Sequence, residues 1–278
     1  MISRIRSIKR VISAAAGVAA TLFMLTTGAA AFDKNLLRAV VGIETTISPD
    51  ARTARILGTQ RQGSGVVIDD EGLVLTIGYL MLEADGAVIT GPRGKVVPAT
   101  VVAYDSETGL GLLRLMQKLN VVPLRLGDSS QLKKQDQVII ASRGGPQPLS
   151  AAQVVSRRIF SGYWEYLLER AIFTSPPHGF HSGAALIGRD GRLLGIGSLL
   201  VNDAVAPNVP SPGNMFVPVN DLKPALADLL QSGRRTSRKR PWIGANTVEA
   251  NGRLFVTRVT PNGPADAAGI KTGDLILG

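Results

Sequence analysis

An all-β protein is expected from this sequence on three grounds. Between residue 32 and about 218 the apolar residues come in short runs separated by turn residues, at a spacing that leaves no room for long helices. The 31 glycines and 16 prolines among 278 residues are scattered rather than periodic, which favours many turns and short strands. Hydrophobic residues make up 45% and charged residues 19%, the balance of a folded chain with a real core rather than a disordered one. Barrels or sandwiches are the architectures that strands at this spacing build.

The first segment is set apart from the fold. Arg4, Arg6, Lys9 and Arg10 precede an apolar run at 11–25, and Ala29, Ala30 and Ala31 stand before Phe32. That is the charged start, apolar centre and small-residue cleavage site of a secretory signal at 1–31. The alternative is an uncleaved anchor, because residues 11–31 are long enough to span a bilayer. Either way the body is exported, and a periplasmic location is expected. Removing 1–31, which holds four basic residues and no acid, lowers the formal charge from +10 to +6. Part of the basic excess is therefore targeting, not a nucleic-acid footprint.

Strands are expected at 39–47, 65–68, 73–76, 87–90, 96–104 and 111–115, then at 137–141, 171–173, 184–187, 193–200 and 215–217. Glu71-Gly72, Asp85-Gly86 and Asp190-Gly191 read as hairpin turns. One helix is expected at 221–231, capped by Asn220, with Leu222, Leu226, Leu229 and Leu230 on one face and Gly233 as its stop. The basic stretch 232–240, with Arg234, Arg235, Arg238, Lys239 and Arg240, reads as a solvated linker. Its functional alternative is docking to an anionic lipid or polymer. It lacks interleaved aromatics, so nucleic acid is not an expected partner. Residues 241–278 hold a turn, a short helix and a further turn into a strand.

The composition also removes chemistries. No cysteine means no disulfide framework, thiol nucleophile or zinc–thiolate site, and two histidines leave nothing for a histidine-rich metal cluster. Gly63-Ser64-Gly65 and Gly144-Gly145 are not followed by Lys-Ser/Thr at phosphate-loop spacing. Neither a metal nor a cofactor is expected.

Gly63-Ser64-Gly65-Val66-Val67-Ile68 through Gly72-Leu73-Val74-Leu75-Thr76, then Leu126-Gly127-Asp128-Ser129, Ser182-Gly183, Asp190-Gly191 and Leu194-Gly195-Ile196 form an ordered series. This series resembles the HtrA (Do/Deg) family of trypsin-like serine proteases over roughly residues 36–231. Trp242-Ile243-Gly244-Ala245, with Gly263-Pro264-Ala265 and the run 268–276, resembles the start of that family's PDZ domain. The resemblance implies two six-stranded antiparallel barrels of the trypsin-like (chymotrypsin) type at 32–117 and 118–231, with the active site between them. A basic linker at 232–240 and a partial PDZ domain at 241–278 follow, since so few residues cannot close such a domain's core. Trp242, Ile243, Gly244 and Ala245 correspond to its peptide-binding loop.

Residue by residue, the resemblance implies a degenerate triad. The family's Thr-Asn-Ala-His-Val-Val is matched by Thr76-Ile77-Gly78-Tyr79-Leu80-Met81, so Tyr79 stands at the histidine position. A phenol, with a reference pKa near 10, is a poor general base at neutral pH. The catalytic aspartate is matched by Gly109; Asp105 and Glu107 nearby read as turn acids on a surface loop. Ser182 keeps the nucleophile position within Phe180-His181-Ser182-Gly183-Ala184-Ala185-Leu186. The oxyanion hole would use the N–H groups of Phe180 and Ser182, with Phe180 where the family has glycine, whose backbone freedom a bulky residue lacks. His178 and His181 sit in the same loop and are expected to contact solvent or backbone rather than to replace the missing base.

Three functions follow. The first is a non-catalytic homologue that binds peptides, unfolded proteins or an active HtrA-type protease in envelope quality control, with a homo-trimer as the oligomer the family implies. The second is an active serine endopeptidase using Ser182. The third is an envelope-surface protein docked through residues 234–240.

Overall fold

The computed structural model describes residues 35–162, 166–236 and 241–277. The expected signal at 1–31 and the basic residues Arg238, Lys239 and Arg240 lie outside them.

The first barrel is built from Val40–Thr46 (β1), Gln60–Val67 (β2), Leu73–Ile77 (β3), Ala87–Thr90 (β4), Val96–Tyr104 (β5) and Leu110–Leu115 (β6), closed in the order β1-β2-β3-β6-β5-β4. A short helix, Ala54–Leu57 (α1), lies between its first two strands. The second barrel uses Gln137–Ala141 (β7), Leu149–Ser161 (β8), Leu167–Ser175 (β9), Ala185–Ile187 (β10), Leu193–Val201 (β11) and Gly213–Pro218 (β12), closed in the order β10-β11-β12-β9-β8-β7. After the helix Leu226–Ser232 (α2), a three-stranded sheet holds Ala245–Ala250 (β13), Arg253–Val259 (β14) and Leu275–Ile276 (β15), with the helix Pro264–Ala267 (α3) before its last strand. Among the described residues of this last part, Val256 and Ala265 alone are buried hydrophobics.

Sequence explains where the barrels meet. Every residue of β3 and of β12 is buried. Strands buried at every position are covered on both faces. One face of β3 looks into its own barrel, and β3 also packs against β11 while β2 packs against β10. The seam is tied by backbone: Ser64 donates its N–H to the Ser182 carbonyl at 2.8 Å, and Arg143 donates its N–H to Ser64 Oγ at 2.9 Å. The loop after β3 and the loop before β10 therefore open onto the same cleft.

Three local expectations are corrected. The 13-residue strand β8 was not expected, because Leu149–Ser161 is rich in Ser, Gln and Arg and mostly half-exposed. Its arginines turn inward instead: Arg158 lies over the Phe173 ring at 3.7 Å and donates to the Ala204 carbonyl at 3.0 Å. The expected helix at 221–231 is helical only from Leu226; Val219–Asp221 and Lys223–Ala225 are single 3-10 turns. Pro224 has no N–H to donate, and Asn220, the expected cap, spends its amide on Asp128 Oδ1 at 2.6 Å. Gly233 does stop the helix, at a φ of 68°. Asp85-Gly86 joins no hairpin, since β3 pairs with β2 and β6 whereas β4 pairs with β1 and β5.

Candidate active-site cleft

Tyr79 leaves β3 in a 3-10 turn, Gly78–Leu80, that is pinned from two sides. Gly78 donates its N–H to the Gly109 carbonyl at 2.6 Å. The buried Arg61 donates Nη1 to the carbonyls of Tyr79 and Leu82, both at 2.9 Å, and Nη2 to Thr53 Oγ1 at 2.7 Å. So fixed, the Tyr79 hydroxyl stands 2.7 Å from the Ser198 carbonyl oxygen and 2.9 Å from Ser182 Oγ. A phenol has one proton and a carbonyl only accepts. Tyr79 therefore donates to Ser198, and Ser182 is left as the donor to the phenol oxygen.

Ser182 is held just as firmly. Its carbonyl accepts from Ser64, Gly183 donates to the Gly197 carbonyl at 2.8 Å, and Ala184 donates to the His181 carbonyl at 3.0 Å. Gly183 has a φ of 72°, and a Cβ there would overlap the Ser64 carbonyl, so the residue after the serine must be glycine.

At position 109 the structure places no acid and no room for one. Gly109 has a φ of 74°, and ring carbons Cδ1 and Cε1 of Tyr166 stand where its Cβ would be, with Cζ 3.1 Å away. The Tyr166 hydroxyl is hydrogen-bonded to Ser198 Oγ. Asp105 and Glu107 do not reach Tyr79. Asp105 is not a surface acid: it is 1% exposed and accepts from Arg235 Nε and Nη2, each at 2.7 Å, and from Thr108 Oγ1 at 2.5 Å. Glu107 lies 3.6 Å from Arg235 Nη1.

Phe180 does not take a positive φ, and its half-exposed ring packs on Gly145, which has a φ of 76°. The N–H groups of Phe180 and Ser182 donate to nothing among the described residues. His181 faces the Gly179 carbonyl through Nδ1 at 3.2 Å, a backbone contact. His178 departs from that expectation. It is buried with Nδ1 2.8 Å from Ser150 Oγ and Nε2 2.9 Å from Ser142 Oγ, while Asn214 bonds its backbone N–H and carbonyl. Burial holds the pKa of both imidazoles below the ordinary histidine value. Neither histidine bonds Ser182.

Trp242 and Ile243 are exposed; the indole lies over Gly244 and Gly263, and the Ile243 carbonyl accepts from Ala265 at 2.9 Å. Gly244, with a φ of 78°, leads into Ala245 at the start of β13. Among the described residues no group of three His, Asp or Glu could hold a metal ion. Sequence reasoning missed Tyr166, Ser198 and Arg235. No pattern marks Tyr166, at the base of a hairpin, or Ser198, within an apolar strand; Arg235 was visible only as one of a run of charges.

Residues 63–196 match a family model described as trypsin-like peptidase domain, and residues 234–278 match the PDZ domain model. The Serine protease Do-like HtrB of Bacillus subtilis is 28% identical over 251 residues, covering 77% of this chain and 52% of that protein. A probable serine protease do-like of Buchnera aphidicola is 29% identical over 233 residues, covering 77% of this chain and 47% of that protein. The chain thus spans about half the length of these relatives. In fold it resembles the HtrA-type protease AlgW, solved with a tripeptide, at a TM-score of 0.58 and 21% identity, covering 87% of this chain and 80% of that one. A serine endoprotease from Yersinia pestis aligns at a TM-score of 0.53 and 23% identity, covering 86% of this chain and 77% of that one. Two trypsin-like barrels followed by a PDZ segment, matched in that order along the sequence, make this chain a member of the HtrA (Do/Deg) family of trypsin-like peptidases with a PDZ domain.

Proposed function

We propose that this chain is an exported, periplasmic, non-catalytic HtrA homologue whose cleft and PDZ segment bind extended or unfolded polypeptide in envelope quality control. One observation carries the reading: the group facing Ser182 is a phenol whose proton is engaged by the Ser198 carbonyl. A base must take the serine proton and later return it. The Tyr79 proton is already committed to the Ser198 carbonyl, and among the described residues no carboxylate is hydrogen-bonded to its hydroxyl, so it is a poor base for Ser182. Loss of triad members costs about four powers of ten or more in turnover. Peptide binding is supported by the PDZ match and by the fold's likeness to a protease solved with a tripeptide. An active HtrA-type protease is a second partner class, and the family implies a homo-trimer.

The alternative is a serine endopeptidase of the same family, favoured by the aim of the Ser182 hydroxyl at the Tyr79 oxygen. Docking to anionic lipid through 234–240 has less support, because Arg235 is turned inward onto Asp105. The deciding experiment compares casein hydrolysis by the mature chain and by Ser182→Ala, with anisotropy of a labelled unfolded peptide as the binding readout. Equal background rates with retained binding are expected. Serine-dependent cleavage by the unaltered chain would overturn the proposal.

A further inference from the structure

We propose that Tyr166 is a blocking residue: its ring fills the space a carboxylate at position 109 would need, so the cleft stays inactive even when the two missing triad side chains are put back. The inference rests on the non-catalytic reading and deepens it, because it assigns the inactivity to a side chain that belongs to neither altered position.

Two features oppose a side chain at Gly109, and they are not equal. The φ of 74° lies in the left-handed region, which aspartate and asparagine visit at modest cost. The Tyr166 ring, by contrast, occupies the Cβ position itself. Only the ring excludes aspartate outright. It cannot swing aside freely, since it is anchored on several sides. Gly162 donates its N–H to the Tyr166 carbonyl at 2.9 Å, which closes the hairpin base. The partly buried ring packs against the core beside Phe160, with centroids 6.3 Å apart, and the next inward residue, Leu168, is buried.

The hydroxyl end serves the same outcome. It bonds Ser198 Oγ, while the carbonyl of that same buried serine holds the Tyr79 proton. Ser198 thus links the two tyrosines, its hydroxyl bonded to Tyr166 and its backbone carbonyl to Tyr79, which in turn meets Ser182 across the seam. Tyr166 comes from the second barrel and Gly109 from the first, so the obstruction is a contact between barrels and not a property of the β5–β6 turn.

The test uses the full chain carrying Tyr79→His plus Gly109→Asp, alone and combined with Tyr166→Phe or with Tyr166→Ala. Labelling of Ser182 by a fluorophosphonate and hydrolysis of casein are the readouts, with Ser182→Ala added as background. The restored pair and its Phe combination are expected at background, because the ring remains, whereas the Ala combination should label at least ~10-fold faster. Equal labelling of the restored pair and the Ala combination would overturn the proposal. So would a folded Ala combination that stays at background. If that combination does not fold, Gly109→Ala is compared in the native and Tyr166→Ala chains. A smaller fall in melting temperature in the latter is expected, and equal falls would count against the block. Serine-dependent turnover by the unaltered chain would instead sink the non-catalytic reading itself.

Discussion

His178 carries a lesson about single residues in this cleft. Two histidines beside a retained serine invite a catalytic role, yet His178 has each ring nitrogen on a serine hydroxyl and its backbone on Asn214. A neutral imidazole satisfies both serines, since each hydroxyl can donate or accept. Burial pushes its pKa below that of the unfolded chain. As pH falls below the unfolded value, about 6.5, the unfolded chain takes up a proton that the folded chain does not. Stability is therefore complete above that value and declines as pH falls through it. His181, depressed for the same reason, adds in the same direction. Melting temperatures recorded from pH 7.5 down to 5.5 should fall, and His178→Gln should make that fall shallower. An unchanged slope would assign the titration to other groups.

Among the elements, the segment after α2 is tied to the turn between β5 and β6. Gly233 reverses the chain and Arg235 then forks onto Asp105, while its Nη2 also donates to the Asp221 carbonyl at 2.8 Å. Asp105 in turn organises its own loop, accepting from Thr108 Oγ1 through its carboxylate and from the Gly109 N–H through its carbonyl. Arg235→Ala leaves a buried carboxylate without its cation, which costs about 3–5 kcal/mol. Urea denaturation should show that loss, whereas the exposed neighbour Arg234→Ala should change stability by less than about 0.5 kcal/mol. Arg235→Lys should recover only part of it, because an ammonium cannot reproduce the bidentate fork. A loss in Arg235→Ala no larger than in Arg234→Ala would show the pair to be incidental. The sequence marks these arginines only as a basic run, and nothing in that run distinguishes Arg235 from Arg234. The same limit hid β8, whose arginines read as solvent-facing until their carbonyl partners are placed beside them.

For the molecule as a whole, the cleft is the seam between two barrels joined by one cluster of buried apolar residues that runs across both, beside a smaller cluster inside the second barrel. Ser64 with Ser182, Arg143 with Ser64, and Tyr79 with Ser182 and Ser198 all cross it. Hydrogen exchange should accordingly give the buried amides of Leu75 and Leu112 in one barrel, and of Ile196 and Phe216 in the other, opening free energies within about 1 kcal/mol of each other. Clearly separate values would mean that the barrels open independently. The all-β class and most strands are legible in the sequence alone, and its motif order leads to the two barrels. Those features depend on local alternation, turn residues and motif order, which a linear string preserves. Which side chains meet across the seam is readable only in three dimensions: Tyr79 donates to the Ser198 carbonyl, the Tyr166 ring stands against Gly109, and Asp105 is buried under Arg235. Each of these joins residues far apart in the chain, so it depends on how the barrels pack and not on spacing along the sequence.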